Sequence, residues 1–295
     1  MQLGLITPIS HLQDTINMSN FYMVLGHLLD NEAYKEFYQN LKTRNPNAYI
    51  LCDNSANEGY MLKGPELLSL GESVCADEII APDKYHDSEV TIDETFNFLD
   101  DYYDSSIKNK FKVMAVPQGE TLDEYVGCYN EFANDPRIDV LGIGYRNLIP
   151  SMMDDIFELK INDWKSLGIS NPDILFENLE DNCFNYTMSR IIFLKRWVKF
   201  RKLNKSNKKI HLLGLYNPIE LKLINECLGK SELNVIRSCD SAAPWQAAQS
   251  GLRFNDGFGV ITKPKAFLDF SMKCTDKQLD IFKFNWNLLK HWAKA

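Results

Sequence analysis

The chain alternates short apolar runs rich in β-branched residues with longer stretches of helical periodicity. Runs at 3–7, 48–53, 78–82, 111–116, 138–143, 209–215 and 234–239 read as strands, and 258–262 is the eighth candidate. Their length, four to eight residues with little polar alternation, suits strands covered on both faces. Helical spacing marks Asn20–Leu29, Asn31–Leu41, Thr91–Tyr103, Thr121–Ala133 and Pro218–Leu228, the last with Asn217 as N-cap and Pro218 in its first turn. Strands alternating with helices predict a parallel sheet, and eight of them predict a closed (β/α)8 TIM-like barrel. The interval from 146 to 208 is too long for one crossover helix and reads as a helical insertion between the fifth and sixth predicted strands, carrying Met152–Lys160 and a helix from Asn185 to Arg201. No Pro/Gly/Ser-rich linker interrupts the chain, which predicts a single domain over 1–295.

Several runs stop at a carboxylate or an amide. Tyr49-Ile50-Leu51-Cys52 ends at Asp53, Glu78-Ile79-Ile80-Ala81-Pro82 at Asp83, Val113-Met114-Ala115-Val116-Pro117 at Gln118, and Val235-Ile236-Arg237-Ser238-Cys239 at Asp240. In a parallel barrel the catalytic groups come from the C-terminal ends of several different strands, so these four are the candidate site. Two carboxylates can divide labour at an anomeric carbon, one attacking and one moving protons. A further acid and an amide offer acceptors and a donor for the edge of a guanine-like ring. Each Asp also suits a loop-capping role, which the residue types alone do not separate from chemistry.

Composition narrows the partners. A net charge of −8 is against nucleic-acid binding over the whole surface and leaves room for a local basic groove. The densest such segment carries Lys195, Arg196, Lys199, Arg201, Lys202, Lys205, Lys208 and Lys209. It suits phosphate contact or, equally, a solvated helix end. Trp197, Phe193 and Phe200 within it fit a core-facing stripe better than a base-stacking platform. The 7 cysteines include no C-x-x-C pair and the 5 histidines no H-x-x-x-H, which disfavours disulfides and a metal site. No long apolar segment or basic leader is present, and the expected location is the cytoplasm, away from membranes.

Taken in order, these motifs resemble the tRNA-guanine transglycosylase superfamily and are most similar to its shorter, DNA-modifying branch found in phages. The resemblance covers roughly residues 48 to 251 and is carried by Asp240-Ser241-Ala242-Ala243-Pro244 with Ser250-Gly251, Leu212-Leu213-Gly214-Leu215-Tyr216-Asn217-Pro218, Val116-Pro117-Gln118-Gly119, Leu51-Cys52-Asp53-Asn54-Ser55, Asp83 and Val140-Leu141-Gly142-Ile143-Gly144. It implies that Asp240 attacks C1′ of a guanosine nucleotide to form a covalent intermediate, and that Asp53 is the general acid and base. Asp83 and Gln118 would read the guanine or 7-deazaguanine edge, with Gly142, Leu213 and Gly214 as pocket walls. Such base exchange needs neither ATP nor a nicotinamide cofactor.

The chain departs from the pattern in ways that matter. Only Cys274 and His291 follow where the tRNA enzymes carry a zinc subdomain, so that subdomain is missing. Asn54-Ser55-Ala56-Asn57 replaces a Gly-Gly stretch, and Trp245-Gln246 stands where an Arg usually follows the Pro. These losses point from a folded tRNA loop toward DNA, whose target nucleotide would have to leave the stack. Strand contacts are then expected from Arg146, Lys199, Arg201, Lys202 and Lys263. A tRNA substrate, a catalytically silent nucleic-acid binder and an unrelated barrel glycosidase are the competing readings.

Overall fold

The computed structural model describes residues 1–60, 62–144, 189–191, 193–194, 206–215, 218–228, 233–254 and 268–294. Eight strands close into a parallel barrel in sequence order: β1 (Gln2–Leu5), β2 (Phe21–Leu25), β3 (Tyr49–Asp53), β4 (Glu78–Ile80), β5 (Lys112–Ala115), β6 (Val140–Gly144), β7 (Lys209–Leu213) and β8 (Ile236–Ser241). The TIM-like (β/α)8 architecture expected from the alternation is therefore present. Its composition differs at two places. Phe21–Leu25, inside the stretch expected to be helical, is strand β2, buried at all 5 positions and paired in parallel along its length with β3. A short apolar run buried on both faces has no period that separates strand from buried helix. The barrel closes without 258–262, which lies outside the described residues. The expected insertion consequently falls between β6 and β7. Of its predicted helix 185–201, residues 189–191 and 193–194 are described and helical, and Phe193 is buried as a core residue.

The chain divides into two compact units, one of residues 4–143 with 208–211, the other of residues 1–3, 144–207 and 212–295. The first carries helices α1 (Glu32–Gln39), α2 (Leu41–Arg44), α3 (Gly64–Ser73), α4 (Ser88–Asp104) and α5 (Leu122–Asn134). Their starts are written locally. Asn31 accepts from the Tyr34 N–H, Asp87 accepts from that of Val90, and Thr121 with Glu124 forms a reciprocal capping box. Strand spacing is fixed by acids in the loops beneath the sheet: Asp77 Oδ2 accepts the Ile50 N–H at 2.7 Å and Asp139 Oδ2 that of Val113 at 2.9 Å. Tyr102 on α4 bridges both backbone polar groups of Phe111, its hydroxyl donating to the carbonyl at 2.9 Å and accepting the N–H at 2.7 Å.

The second unit holds α6 (Pro218–Cys227), α7 (Ala243–Gln249) and α8 (Asp276–Lys294). α7 and α8 pack through Trp245, whose ring stacks on Phe282 at 3.6 Å between centroids. Asn285, buried on α8, accepts the Phe254 N–H at 2.8 Å and donates to the Leu252 carbonyl at 3.0 Å, which ties the chain after α7 to this helix. No described helix is long and apolar enough to cross a membrane.

Candidate active site

In the first unit, three strand ends supply neighbouring polar groups. Asp53 closes β3 and is 8% exposed, and its Oδ2 accepts the N–H of Ser55 at 3.1 Å. Asp83, three residues beyond β4, is held from both sides: Asn54 Nδ2 donates to its Oδ1 at 2.6 Å and Gln118 Nε2 to its Oδ2 at 2.5 Å. Gln118, three residues beyond β5, uses its other end as well, its Oε1 accepting the His86 N–H at 3.3 Å. Asn54 also donates to the Ala81 carbonyl and accepts from the Ala56 N–H, at 2.7 and 2.9 Å. Every polar end of these two amides is thus engaged, which fixes how they face Asp83.

The turns around the cluster need special backbone. Ser55 adopts φ 61° and His86 φ 60°, both left-handed, so the chain reverses sharply after Asp53 and after Asp83. At Gly119 a Cβ would lie 2.4 Å from the Tyr125 nitrogen, so only glycine lets the Gln118 loop fold against the start of α5. Beside β3, Ser55 Oγ accepts the His27 N–H at 3.2 Å and pairs with His27 Nδ1 at 2.9 Å, while the His27 ring stacks on Tyr60 at 4.6 Å. Burial holds the His27 imidazole below its ordinary range, against the opposing charges of Glu58 and Asp30. A cleft of about 220 Å³, its mouth included, opens beside Asp83 and Asn54, with Tyr60, Lys63 and Glu94 on its walls.

Burial also raises the Asp83 carboxyl from 3.8 to about 6, partly offset by the hydrogen bonds from Asn54 and Gln118. At neutral pH the group remains mainly ionised and acts as an acceptor. A carboxylate pKa raised on folding favours the protonated native state, so Asp83 lowers stability as pH climbs through the window from about 4 to about 6. The expected loss is at most about 3 kcal/mol, from roughly two pK units at 1.36 kcal/mol each. Chemical denaturation of the wild type and Asp83→Asn across pH 4–7 checks this. The wild type should lose stability relative to the variant as pH rises, and parallel profiles would contradict the assignment.

In the second unit, Asp240 lies within β8 and is 2% exposed. Its Oδ1 accepts the Gly214 N–H at 3.1 Å, and its backbone carbonyl accepts that of Leu215 at 2.8 Å. Ser241 Oγ donates to the Leu215 carbonyl at 2.5 Å and accepts the Ala243 N–H at 3.2 Å, linking the β7 loop to the start of α7. Gly214 has φ 66°, a left-handed conformation that favours glycine at this turn. Arg190 and Glu220, both fully buried, form an ion pair behind this loop.

Of the expected site residues, Asp83 and Gln118 are hydrogen-bonded into one group with Asn54, while Asp53, next to Asn54 in the chain, bonds to Ser55. Leu213 and Gly214 lie against Asp240, and Gly214 bonds it directly rather than forming only a wall. Gly142 is buried in the middle of β6. Arg146, Lys199, Arg201, Lys202 and Lys263 lie outside the described residues. The exposed Arg253 lies over the exposed Phe284 ring, 5.0 Å from its centroid. Trp245, directly after Pro244, is a core residue of α7. Asn54, His27, Arg190 and Glu220 were not anticipated. An amide directly after a strand-ending acid could have drawn attention to Asn54, whereas His27 and Ser55 lie 28 residues apart and no local pattern joins them. Cys52 and Cys239, beside the two candidate catalytic acids, are fully buried thiols. Among the described residues no three His, Cys, Asp or Glu side chains gather as a metal-holding group.

No protein-family model and no curated protein matches the chain. Solved structures with partial similarity include protein CitE from Mycobacterium tuberculosis in complex with magnesium and pyruvate, 9% identical, covering 81% of this chain and 84% of that one with a TM-score of 0.40. RipC from Yersinia pestis is also 9% identical and covers 97% of this chain and 94% of its own, with a TM-score of 0.39. At this identity and TM-score, neither likeness bears on activity or substrate.

Proposed function

We propose that this protein is a base-exchange transglycosylase that replaces guanine in DNA with a 7-deazaguanine of the preQ0 or preQ1 type. The observation that carries the reading is the Asp83 carboxylate, gripped by the Asn54 and Gln118 amides beside a small cleft. Each carboxylate oxygen has acceptor capacity beyond the single amide bond it makes here. An ionised acceptor next to an oriented amide suits the N–H groups along a guanine edge.

In the proposed reaction an Asp240 carboxylate oxygen attacks C1′, the bond from C1′ to the guanine nitrogen breaks, and its electron pair leaves with the base. Asp53, in its acid form, supplies the proton that neutralises departing guanine. The resulting carboxylate then removes a proton from the incoming 7-deazaguanine, whose ring nitrogen attacks C1′ and displaces Asp240. Both acids return to their starting states, and one glycosidic bond replaces another, so no external energy source is required. Burial of Asp240 suits a covalent ester that must be kept from water. Phosphate contacts are assigned to local cations such as Arg146, Lys199, Arg201, Lys202 and Lys263, because a net charge of −8 disfavours binding by the surface at large.

The test is incubation with labelled preQ0 and either duplex DNA or bulk tRNA. Label should enter DNA in preference, in keeping with the missing zinc subdomain. Equal or greater labelling of tRNA would transfer the chemistry to that substrate, and no labelling of either would overturn base exchange.

A further inference from the structure

The peptide group joining Leu213 to Gly214 is bonded on both sides by charged side chains. Its N–H, from Gly214, donates to Asp240 Oδ1 at 3.1 Å. Its carbonyl, from Leu213, accepts from Arg190 Nη1 at 2.7 Å. Arg190 is itself fixed from behind: its Nε donates to Glu220 Oε1 at 2.6 Å, and its Nη2 donates to the same oxygen. Arg190 is 0% exposed and Glu220 is 1% exposed. The two charges also reach Cys239, directly before Asp240, where Glu220 and Asp240 reinforce the upward effect of burial on the thiol and Arg190 opposes it.

We infer that Arg190, held by Glu220, is a positioning residue that orients and polarises the Leu213–Gly214 peptide toward Asp240. The amide is planar and trans, so its C=O and N–H point in opposite directions along one dipole. A guanidinium at the oxygen therefore makes the hydrogen a stronger donor, and in a buried setting such chains of hydrogen bonds reinforce one another. The peptide also has little freedom to turn, because the following N–H, of Leu215, is bonded to the Asp240 carbonyl. A buried ion pair is weak evidence for stability in itself, since well-packed apolar groups often serve as well. This pair has a second use that apolar groups could not supply, namely the donor aimed at Leu213.

The kinetic part of this inference rests on Asp240 being the nucleophile; the geometric part does not. In the proposed reaction the carboxylate must hold one orientation to attack C1′ and must later depart from it. A donor of fixed direction at Oδ1 serves both steps, the first by orientation and the second by stabilising the departing carboxylate.

The test uses the full-length protein labelled with ¹⁵N-glycine, in which 15 glycines keep the spectrum tractable. Asp240→Ala identifies the Gly214 amide as the signal that moves most. Arg190→Lys keeps the charge opposite Glu220 but lacks the fork that reaches both partners. The double variant Arg190→Met with Glu220→Leu removes both charges without leaving either unpaired. In each folded variant the Gly214 amide should shift upfield and exchange about tenfold faster or more. In the base-exchange assay kcat should fall about 100-fold with KM little changed, as expected for a misplacement of about 1 Å. A purely structural role predicts that the stable double variant recovers wild-type kcat and an unchanged Gly214 signal, and that result would overturn the inference. So would an unmoved Gly214 amide in folded Arg190→Lys. If the wild-type protein exchanges no base with any substrate, the transglycosylase reading falls, while the amide measurement still decides whether Arg190 positions the peptide.

Discussion

Asp240→Asn is expected to give a folded protein that forms no covalent adduct with nucleic acid and shows no measurable base exchange. The separation of folding from chemistry follows from the local bonding. Asp240 Oδ1 serves as an acceptor for the Gly214 N–H, and the carbonyl oxygen of Asn can accept the same bond. The backbone link from Leu215 is untouched by the substitution. What disappears is the negative charge and the nucleophilic oxygen, since an amide is a far poorer nucleophile than a carboxylate. Loss of a residue on which a covalent step depends removes most of the rate, with about 10⁶-fold known where a nucleophile is deleted. A denaturing gel with labelled DNA reads the adduct, and a thermal melt shows whether the variant folds. A correctly folded Asp240→Asn protein that still forms the adduct would show the nucleophile to be another residue. If Asp240 serves only to cap the loop after β8, the outcome is reversed: a lower Tm with activity retained in proportion to folded protein.

The second large effect is expected at Asp53, with a different signature. Asp53→Asn should retain the bond from the Ser55 N–H, because Asn also offers an acceptor two residues before it. Asp240 remains available to attack, so the variant is expected to slow both base departure and base capture rather than abolish them. General acid–base catalysis is commonly worth about 10²–10⁴-fold, and a fall of that size in exchange rate is the expected result. Because the proton is needed by the leaving group, a substrate carrying a base that departs readily without protonation should recover much of the lost first step. Single-turnover measurements of guanine release, compared for guanine and for such a leaving group, check this. Equal losses for both would remove Asp53 from the role of general acid. The neighbouring Asn54 is a useful contrast, since its side chain holds Asp83 and not Asp53. Its replacement should act on base selectivity more than on the rate of proton transfer.

The contrast between neighbouring residues also shows where local reading of the chain succeeds. Strand β3, which ends at Asp53, and strand β8, which runs one residue past Asp240, are visible because β-branched and apolar runs meet a carboxylate with no turn residue intervening. Helices α4 and α5 are visible from their amphipathic runs, although the run read from Thr91 leaves out the first turn of α4, which Asp87 caps, and Thr121 caps α5 rather than opening it. Phe21–Leu25 failed this reading for an equally local reason, since an unbroken apolar run carries no period. The long helix α8 was missed although Phe282, Trp286 and Leu289 form one buried stripe, which a 3.6-residue period could have revealed.

Sequence alone thus determined the barrel class and the acids and amide at or within three residues of its strand ends, because hydrophobic period and strand-end polarity act over a few residues. Tertiary structure decided the rest. It brought Gln118 to Asp83 across 35 residues, Asn54 to Asp83 across 29 and Arg190 to Glu220 across 30. It also placed both Asp83 and the ion pair out of water, where burial raises the carboxyl of the first and makes partners obligatory for the second. Such contacts depend on which strand ends the closed barrel makes neighbours and on how the loops beyond them turn. No short stretch of the chain encodes that by itself, because hydrogen bonds and desolvation act between groups that are near in space.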